Sequence, residues 1–211
     1  VWTGVELLDQ VERLAAWLRR RGVTANTRVG IEIGRSAEAV IAILATLFAG
    51  GSFVPLDVRQ PERRRRALAE RAGCSLILYG SADPELHDRD LDALGSTTPH
   101  PVGAGSGPAP QDEAYLLFTS GSSGEPKGVP ITHEGLARYI RFATESYVRP
   151  EAPPVVPLFS SLSFDLTITS LFLPLIVDGA EMRVIRSEGP AALTEIASYP
   201  TLTWIKATPS H

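Results

Sequence analysis

Apolar positions along this chain recur with two different periods, and the alternation between them outlines the elements. In VELLDQVERLAAWLRRRG, residues 5–22, Leu7, Leu8, Val11, Leu14, Ala15 and Leu18 return to one side at helical spacing, the pattern of a helix with one buried face. Arginines and then Gly22 close it, chemistry suited to a helix C-terminus. RVGIEI follows as a short strand, and RSAEAVIAILATLFAGG reads as an apolar helix capped by Ser36 and closed by Gly50 and Gly51. FVPLD and CSLILY read as further strands, with an arginine-rich helix between them.

Residues 95–112, GSTTPHPVGAGSGPAPQD, contain almost nothing to pack and read as a surface connection inside the domain. The alternation then resumes. EAYLLF is a strand, HEGLARYIRFATESY a helix, VVPLF a strand, 165–176 an apolar helix, EMRVI a strand, PAALTEIAS a small helix and LTWIKA a last strand. Strand and helix in turn predict an α/β fold, a mainly parallel sheet layered with helices. The final strand, finishing at TPSH, reads as cut off rather than completed.

Composition adds few constraints. The 211 residues are 44% hydrophobic and 21% charged with a formal net charge of -4, enough chain for a real core in one or two domains. No apolar run reaches the ~18 residues of a membrane span and no leader-like segment opens the chain, so a cytoplasmic protein is expected. The acidic balance gives no reason to expect nucleic acid. The arginines at 63–66, interleaved with no aromatics, suit a surface helix. Cys74 is the only cysteine and sits in an apolar run, where a buried thiol acts as a small hydrophobe. Histidines at 87, 100, 133 and 211 form no metal-ligand spacing, and no protein metal site is expected.

The chemistry concentrates in LLFTSGSSGEPKGVP, 116–130, directly after an apolar run. Glycines and hydroxyls in series let successive N–H groups converge on one point, and Lys127 adds a positive charge. Such a segment suits a polyphosphate; a simple flexible turn is the alternative. It fits neither GxxxxGK[ST] nor GxGxxG.

Taken as a string, LLFTSGSSGEPKGVPITHEGL closely resembles the signature loop of the adenylate-forming enzymes, usually near YTSGTTGxPKGV. WTGVELLDQVERLAAWLRRRGV, LATLFAGGSFVPLDVRQPERRRRALAERAGCSLIL and SSLSFDLTITSLFLPLIVDGAEMRVI resemble, in order, further motifs of nonribosomal peptide synthetase adenylation domains. The resemblance spans essentially all 211 residues and implies an incomplete N-terminal portion of the large subdomain of such a domain. It implies ATP and Mg²⁺ as cofactors, an amino acid as substrate, and a carrier protein bearing phosphopantetheine as partner.

By that resemblance Thr119, Ser120, Gly121, Ser122, Ser123, Gly124 and Lys127 form the nucleotide loop, with Thr119 and Lys127 in the catalytic role. The adenine motif, the ribose-binding aspartate and a C-terminal lid with its own lysine are expected beyond residue 211. The isolated polypeptide is therefore expected to lack normal turnover. Phe164, Asp165 and Thr167 fill the FDxS motif, with threonine in the serine position, and the resemblance assigns the substrate α-ammonium to Asp165. A carboxylate flanked by Phe164 and Leu166 is costly to desolvate without a cation; Asp165 also suits a helix N-cap. Specificity positions fall on Asp165, Leu166, Thr169 and Lys206, a partial code resembling that of domains selecting aspartate or asparagine. Alternation in TWIKA puts Lys206 opposite Ile205, where a buried lysine needs an anionic or strongly polar partner; an exposed lysine at a strand end is the alternative. An acyl or aryl-CoA synthetase, or a non-catalytic or split fragment that binds, are the other functional readings.

Overall fold

The structure, a computed structural model, describes residues 2–80, 108–120, 125–149 and 152–208. The chain divides into two compact units, Val1–Glu134 and Gly135–His211, each described within itself.

The first unit opens with α1, Gly4–Arg20, whose buried face is Val11, Leu14, Ala15 and Leu18. Its start is fixed by a reciprocal box: Glu6 N–H donates to the Thr3 hydroxyl at 3.3 Å and Thr3 N–H to the Glu6 carboxylate at 2.8 Å. Strand β1, Arg28–Glu32, leads to α2, Ala37–Phe48, where the Ser36 hydroxyl accepts from Ala39 N–H as expected. The strand β2, Ser52–Pro55, is wholly buried, and α3, Glu62–Ala72, ends at Gly73 in the left-handed region, φ 66°. Strands β3, Leu76–Tyr79, β4, Glu113–Ser120, and β5, Pro126–Thr132, complete a sheet of order β3-β1-β2-β4-β5. Pairs β1–β2, β1–β3 and β2–β4 are parallel, as the alternation predicts, while β4–β5 is antiparallel.

That last strand departs from the reading of the glycine and hydroxyl segment as a loop, since Pro126–Thr132 is paired with β4. Two prolines and a glycine argue against a central strand, but β5 is the sheet edge, where a missing N–H breaks no ladder. Gly128 lies so close to Leu116 that an added Cβ would sit 3.1 Å from its methyl. Residues 114–117 of β4 are fully buried, so the apolar run is indeed an interior strand.

A polar network ties the start of β4 to its neighbours. Arg28 Nε and Nη2 each donate to Glu113 at 2.7 Å, Arg28 Nη1 donates to the Ala72 carbonyl at 2.7 Å, and the buried Ser52 hydroxyl donates to Glu113 at 2.6 Å. Burial alone would push the Glu113 carboxyl up, but the bonds from Arg28 and Ser52 outweigh it and hold the carboxyl below its ordinary value. Beside this network the Cys74 thiol packs on the cluster of Val54, Leu56, Leu68, Ala69, Ala72 and Leu116. Burial pushes its pKa up to about 11, the behaviour of an inert apolar thiol. The arginine-rich helix α3 is laced with ion pairs, Arg65–Glu32 at 2.8 Å and Arg66–Glu62 at 2.6 Å.

The second unit comprises α4, His133–Tyr147, from Gly135 onward, then β6, Val155–Leu158, α5, Leu166–Ile176, β7, Glu181–Val184, and α6, Pro190–Ala197. Strands β6 and β7 pair in parallel. Ala143, Val156 and Leu173 form one apolar cluster, with Trp204 packed against it, and Phe159, Ile185 and Ala192 form another.

The expected strand LTWIKA is not one. Residues 202–208 carry no regular structure. Thr203 N–H donates to the Val155 carbonyl at 3.2 Å, but Val155 N–H goes to the Thr203 hydroxyl at 2.9 Å. A side chain thus takes the place of the backbone acceptor, and the ladder does not propagate. The period-two exposure persists nonetheless, with 203, 205 and 207 exposed and 204 and 206 half-buried.

The surface connection expected at 95–112 lies outside the described residues up to residue 107, as do Gly121, Ser122, Ser123 and Gly124. Among the described residues no helix is long and apolar enough to cross a membrane.

Candidate functional site

In the first unit the glycine and hydroxyl segment connects β4 to β5. Thr119 stands opposite Lys127 and Ser120 opposite Pro126 in the antiparallel register. The Thr119 hydroxyl reaches the Lys127 carbonyl at 3.4 Å, and both residues are exposed. The Lys127 ammonium has no ion-pair partner among the described residues. A hydroxyl and an unpaired cation therefore stand side by side on a hairpin whose root is a buried strand, an arrangement able to meet an anion brought from solvent.

In the second unit α5 carries the FDxS segment. Thr167, in the serine position, is buried and donates to the Ser161 carbonyl at 2.6 Å while the Ser160 hydroxyl meets it at 2.6 Å. Threonine places a hydroxyl here that both donates and accepts within the turn. Asp165 is the residue preceding α5, but its side chain makes no cap hydrogen bond, which removes the N-cap reading. It is exposed, and Phe164 is 62% exposed. The desolvation argument drawn from its apolar neighbours therefore fails: water reaches the carboxylate. Among the described residues the Asp165 side chain has no hydrogen-bond or ion-pair partner.

Four residues on, Thr169 is fully buried. In a helix the i and i+4 positions share one face, about 6 Å apart along the axis, so Asp165 and Thr169 lie on the same side of α5 and Leu166 beside them. Lys206 Nζ donates to Thr169 Oγ1 at 3.0 Å and to the Tyr139 hydroxyl at 2.7 Å, and the two hydroxyls are 2.5 Å apart. The ammonium also sits 5.4 Å from the centre of the Tyr139 ring. Lys206 is half-buried and has no carboxylate partner among the described residues. Thr169 and Lys206, 37 residues apart, are thus brought together.

Tyr139 is the member that sequence reasoning missed. On α4 the buried positions are Leu136, Ile140 and Ala143, and a half-buried tyrosine flanking that stripe reads as part of the packing face. Its partner Lys206 lies 67 residues away, a separation at which no sequence period operates. Among the described residues no three or more His, Cys, Asp or Glu side chains gather as a metal site.

A mainly parallel α/β sheet with this motif-bearing hairpin defines the class: it is the N-terminal subdomain of adenylate-forming enzymes. The Klebsiella oxytoca NpsA N-terminal subdomain, solved with 3-hydroxyanthranilyl-AMSN, superposes with a TM-score of 0.77 at 26% identity, over 95% of this chain and 51% of that one. The nonribosomal peptide synthetase FmoA3 in its AMPPNP-bound form gives 0.72 at 28% identity, over 91% of this chain and 21% of that one.

The model of the AMP-binding enzyme family matches residues 1–211, and the chain belongs to that family. Tyrocidine synthase 3 of Brevibacillus parabrevis is 36% identical over 98% of the chain, and bacitracin synthase 3 of Bacillus licheniformis likewise 36% over 98%. The chain spans 3% of the length of each of these two relatives.

Proposed function

We propose that this chain belongs to an enzyme that activates an amino acid as its aminoacyl adenylate. The substrate carboxylate oxygen attacks the α-phosphorus of ATP, the new C–O–P linkage forms, and pyrophosphate leaves with the electrons of the broken P–O bond. The phosphopantetheine thiol of a carrier protein then gives up its proton and attacks the acyl carbon, a C–S bond forms, and the C–O bond to AMP breaks to release AMP. Names of the relatives support this reading: several are peptide synthases, and one FmoA3 structure holds α-methyl-L-serine-AMP.

Thr119, Ser120, Gly121, Ser122, Ser123, Gly124 and Lys127 would receive the departing phosphates, where a cation and hydroxyl donors offset charge that builds up between two anions. Mg²⁺ is bound through phosphate oxygens with few protein ligands; it would come in on ATP and neutralise phosphate charge. Asp165 would take the α-ammonium, and Thr169 with Lys206 would take a side-chain carboxylate or carboxamide, so the substrate is aspartate, asparagine or a 3-substituted aspartate.

The observation that carries this reading is the presence, on one unit, of a carboxylate at Asp165 without a partner among the described residues and an ammonium at Lys206 held there by two hydroxyls and the Tyr139 ring rather than by a carboxylate. A zwitterionic substrate with an acidic or amide side chain complements both. An aryl acid, such as the acyl groups bound in the NpsA complexes, brings no α-ammonium to pair with Asp165. The test is ATP–pyrophosphate exchange by the full-length protein with aspartate, asparagine, glutamate and benzoate, in the wild type and in Asp165→Ala. Exchange with aspartate or asparagine, lost in the variant, is the expected result. Exchange with benzoate that survives Asp165→Ala overturns the reading.

A further inference from the structure

The Lys206, Thr169 and Tyr139 cluster has a proton count that the amino-acid reading does not use. Lys206 has three N–H bonds: one goes to Tyr139, one to Thr169, and the third has no acceptor among the described residues. The two hydroxyls face each other at 2.5 Å, so one donates to the other and a single O–H is left over. Their lone pairs are mostly spent. Each oxygen accepts from Lys206, and one of them accepts from the other hydroxyl as well, which leaves one vacant acceptor position on the donating oxygen.

The cluster therefore offers two donors, one of them charged, and carries a net positive charge with no carboxylate in ion-pair contact among the described residues. That inventory matches a group with acceptors only. A carboxylate accepts both donors and neutralises the ammonium. A carboxamide brings its own NH₂, which has one crowded oxygen to donate to and otherwise points donor against donor.

We propose that Tyr139 is a specificity-determining residue, completing with Thr169 and Lys206 a donor triad that selects an aspartate-type side-chain carboxylate over the corresponding carboxamide. This rests on the assignment of Lys206 and Thr169 to the substrate side chain, and it deepens that assignment by choosing between acid and amide and by adding a residue from α4. Tyr139 acts in two ways. Its ring and hydroxyl hold the Lys206 ammonium in place, 5.4 Å and 2.7 Å away, and its contact with Thr169 consumes an acceptor site that an amide nitrogen would need.

The test is ATP–pyrophosphate exchange by the full-length protein, with kcat and KM for L-aspartate and L-asparagine measured separately in wild type, Tyr139→Phe and Lys206→Gln. Phenylalanine keeps the ring and its packing, so the fold is retained. Wild type is expected to favour aspartate. Tyr139→Phe is expected to raise KM for aspartate, with little change in kcat, and to cut the aspartate-to-asparagine preference about tenfold or more, the range for one hydrogen bond to a charged group. Lys206→Gln, which offers both a donor and an acceptor, is expected to shift the preference toward asparagine.

The ratio isolates the proposal, because a merely structural role for Tyr139 would affect both substrates alike. Wild-type preference for asparagine overturns it. So does an unchanged ratio in Tyr139→Phe while aspartate remains a substrate, and in that case the broader substrate assignment survives. Wild-type exchange with neither aspartate nor asparagine overturns both.

Discussion

Replacing Glu113 with alanine tests whether the polar network at the start of β4 anchors the strand that carries the hairpin. The carboxylate accepts three hydrogen bonds, two from Arg28 at 2.7 Å and one from Ser52 at 2.6 Å. Removing one partner of a buried ion pair costs about 3–5 kcal/mol, because the other charge stays behind uncompensated. Here the Arg28 side chain is 31% exposed and keeps its bond to the Ala72 carbonyl, so water recovers part of that cost. The Ser52 hydroxyl, at 0% exposure, loses its acceptor and recovers nothing. The net loss is about 3 kcal/mol. For a chain of this size each kcal/mol moves Tm by roughly 2–4 °C, so thermal unfolding of Glu113→Ala at pH 7, followed by circular dichroism, should come about 6–12 °C below wild type.

The pH dependence gives a second, independent check. The folded Glu113 carboxyl lies below its ordinary value of 4.5, so its stabilising contribution is fully present above pH 4.5 and disappears as pH falls through the folded value. The gap between wild type and Glu113→Ala should therefore narrow from pH 7 toward pH 3. A Tm difference below about 2 °C at pH 7, or one that does not narrow on acidification, refutes the network as an anchor.

Two further predictions concern other buried features. Burial lowers the pKa of His133 below 6.5, against the opposing pull of Asp112, and its Nε2 atom is buried without a hydrogen-bond partner among the described residues; since the unfolded state then binds more protons, its contribution is lost as pH falls below 6.5, and His133→Gln should lose less Tm than wild type between pH 7 and 5.5. At Gly51 an added Cβ would lie 2.7 Å from Val23 Cγ1 and 3.0 Å from the Thr27 carbonyl oxygen, so Gly51→Ala should lower the denaturant midpoint by the equivalent of ~1–3 kcal/mol, and an unchanged midpoint would show that the backbone there gives way.

The elements that sequence reading located are those with a long period and clear punctuation. Helix α1 has one apolar face and an arginine and glycine end, and α2 has a serine at its cap and glycines after it. The elements it misread are those decided by neighbours. Strand β5 carries Pro126, Gly128 and Pro130, which disqualify it as an interior strand, and only its edge position makes them tolerable. LTWIKA has the alternation of a strand, yet Thr203 spends its hydroxyl on Val155 and ends the pairing. The side-chain cluster was half legible. Thr169 and Lys206 stand in recognisable motifs, whereas Tyr139 belongs to a helix with no motif of its own, and only the folded chain sets its hydroxyl against theirs.

The start of α5 shows how a chain can leave a helix-start carboxylate uncommitted to capping. An aspartate before a helix ordinarily caps it, taking up N–H groups that the first turn leaves without partners. Capping requires extended backbone, and Asp165 instead has φ -58° and ψ -30°, already helical. The donors are met by other means. Phe164 N–H donates to the Ser161 carbonyl at 3.0 Å, Thr167 N–H to the Phe164 carbonyl at 3.0 Å, and Ile168 N–H to the Asp165 carbonyl at 3.1 Å. The Thr167 hydroxyl then ties this turn to the Ser161 carbonyl from within. Backbone turns and a buried threonine thus do the work a capping side chain would have done, and the Asp165 carboxylate stays exposed beside the positive end of the helix dipole. If Thr167 fixes this turn, Thr167→Val should loosen it, read as faster amide hydrogen exchange at residues 167 and 168, whereas Thr167→Ser should leave exchange there unchanged.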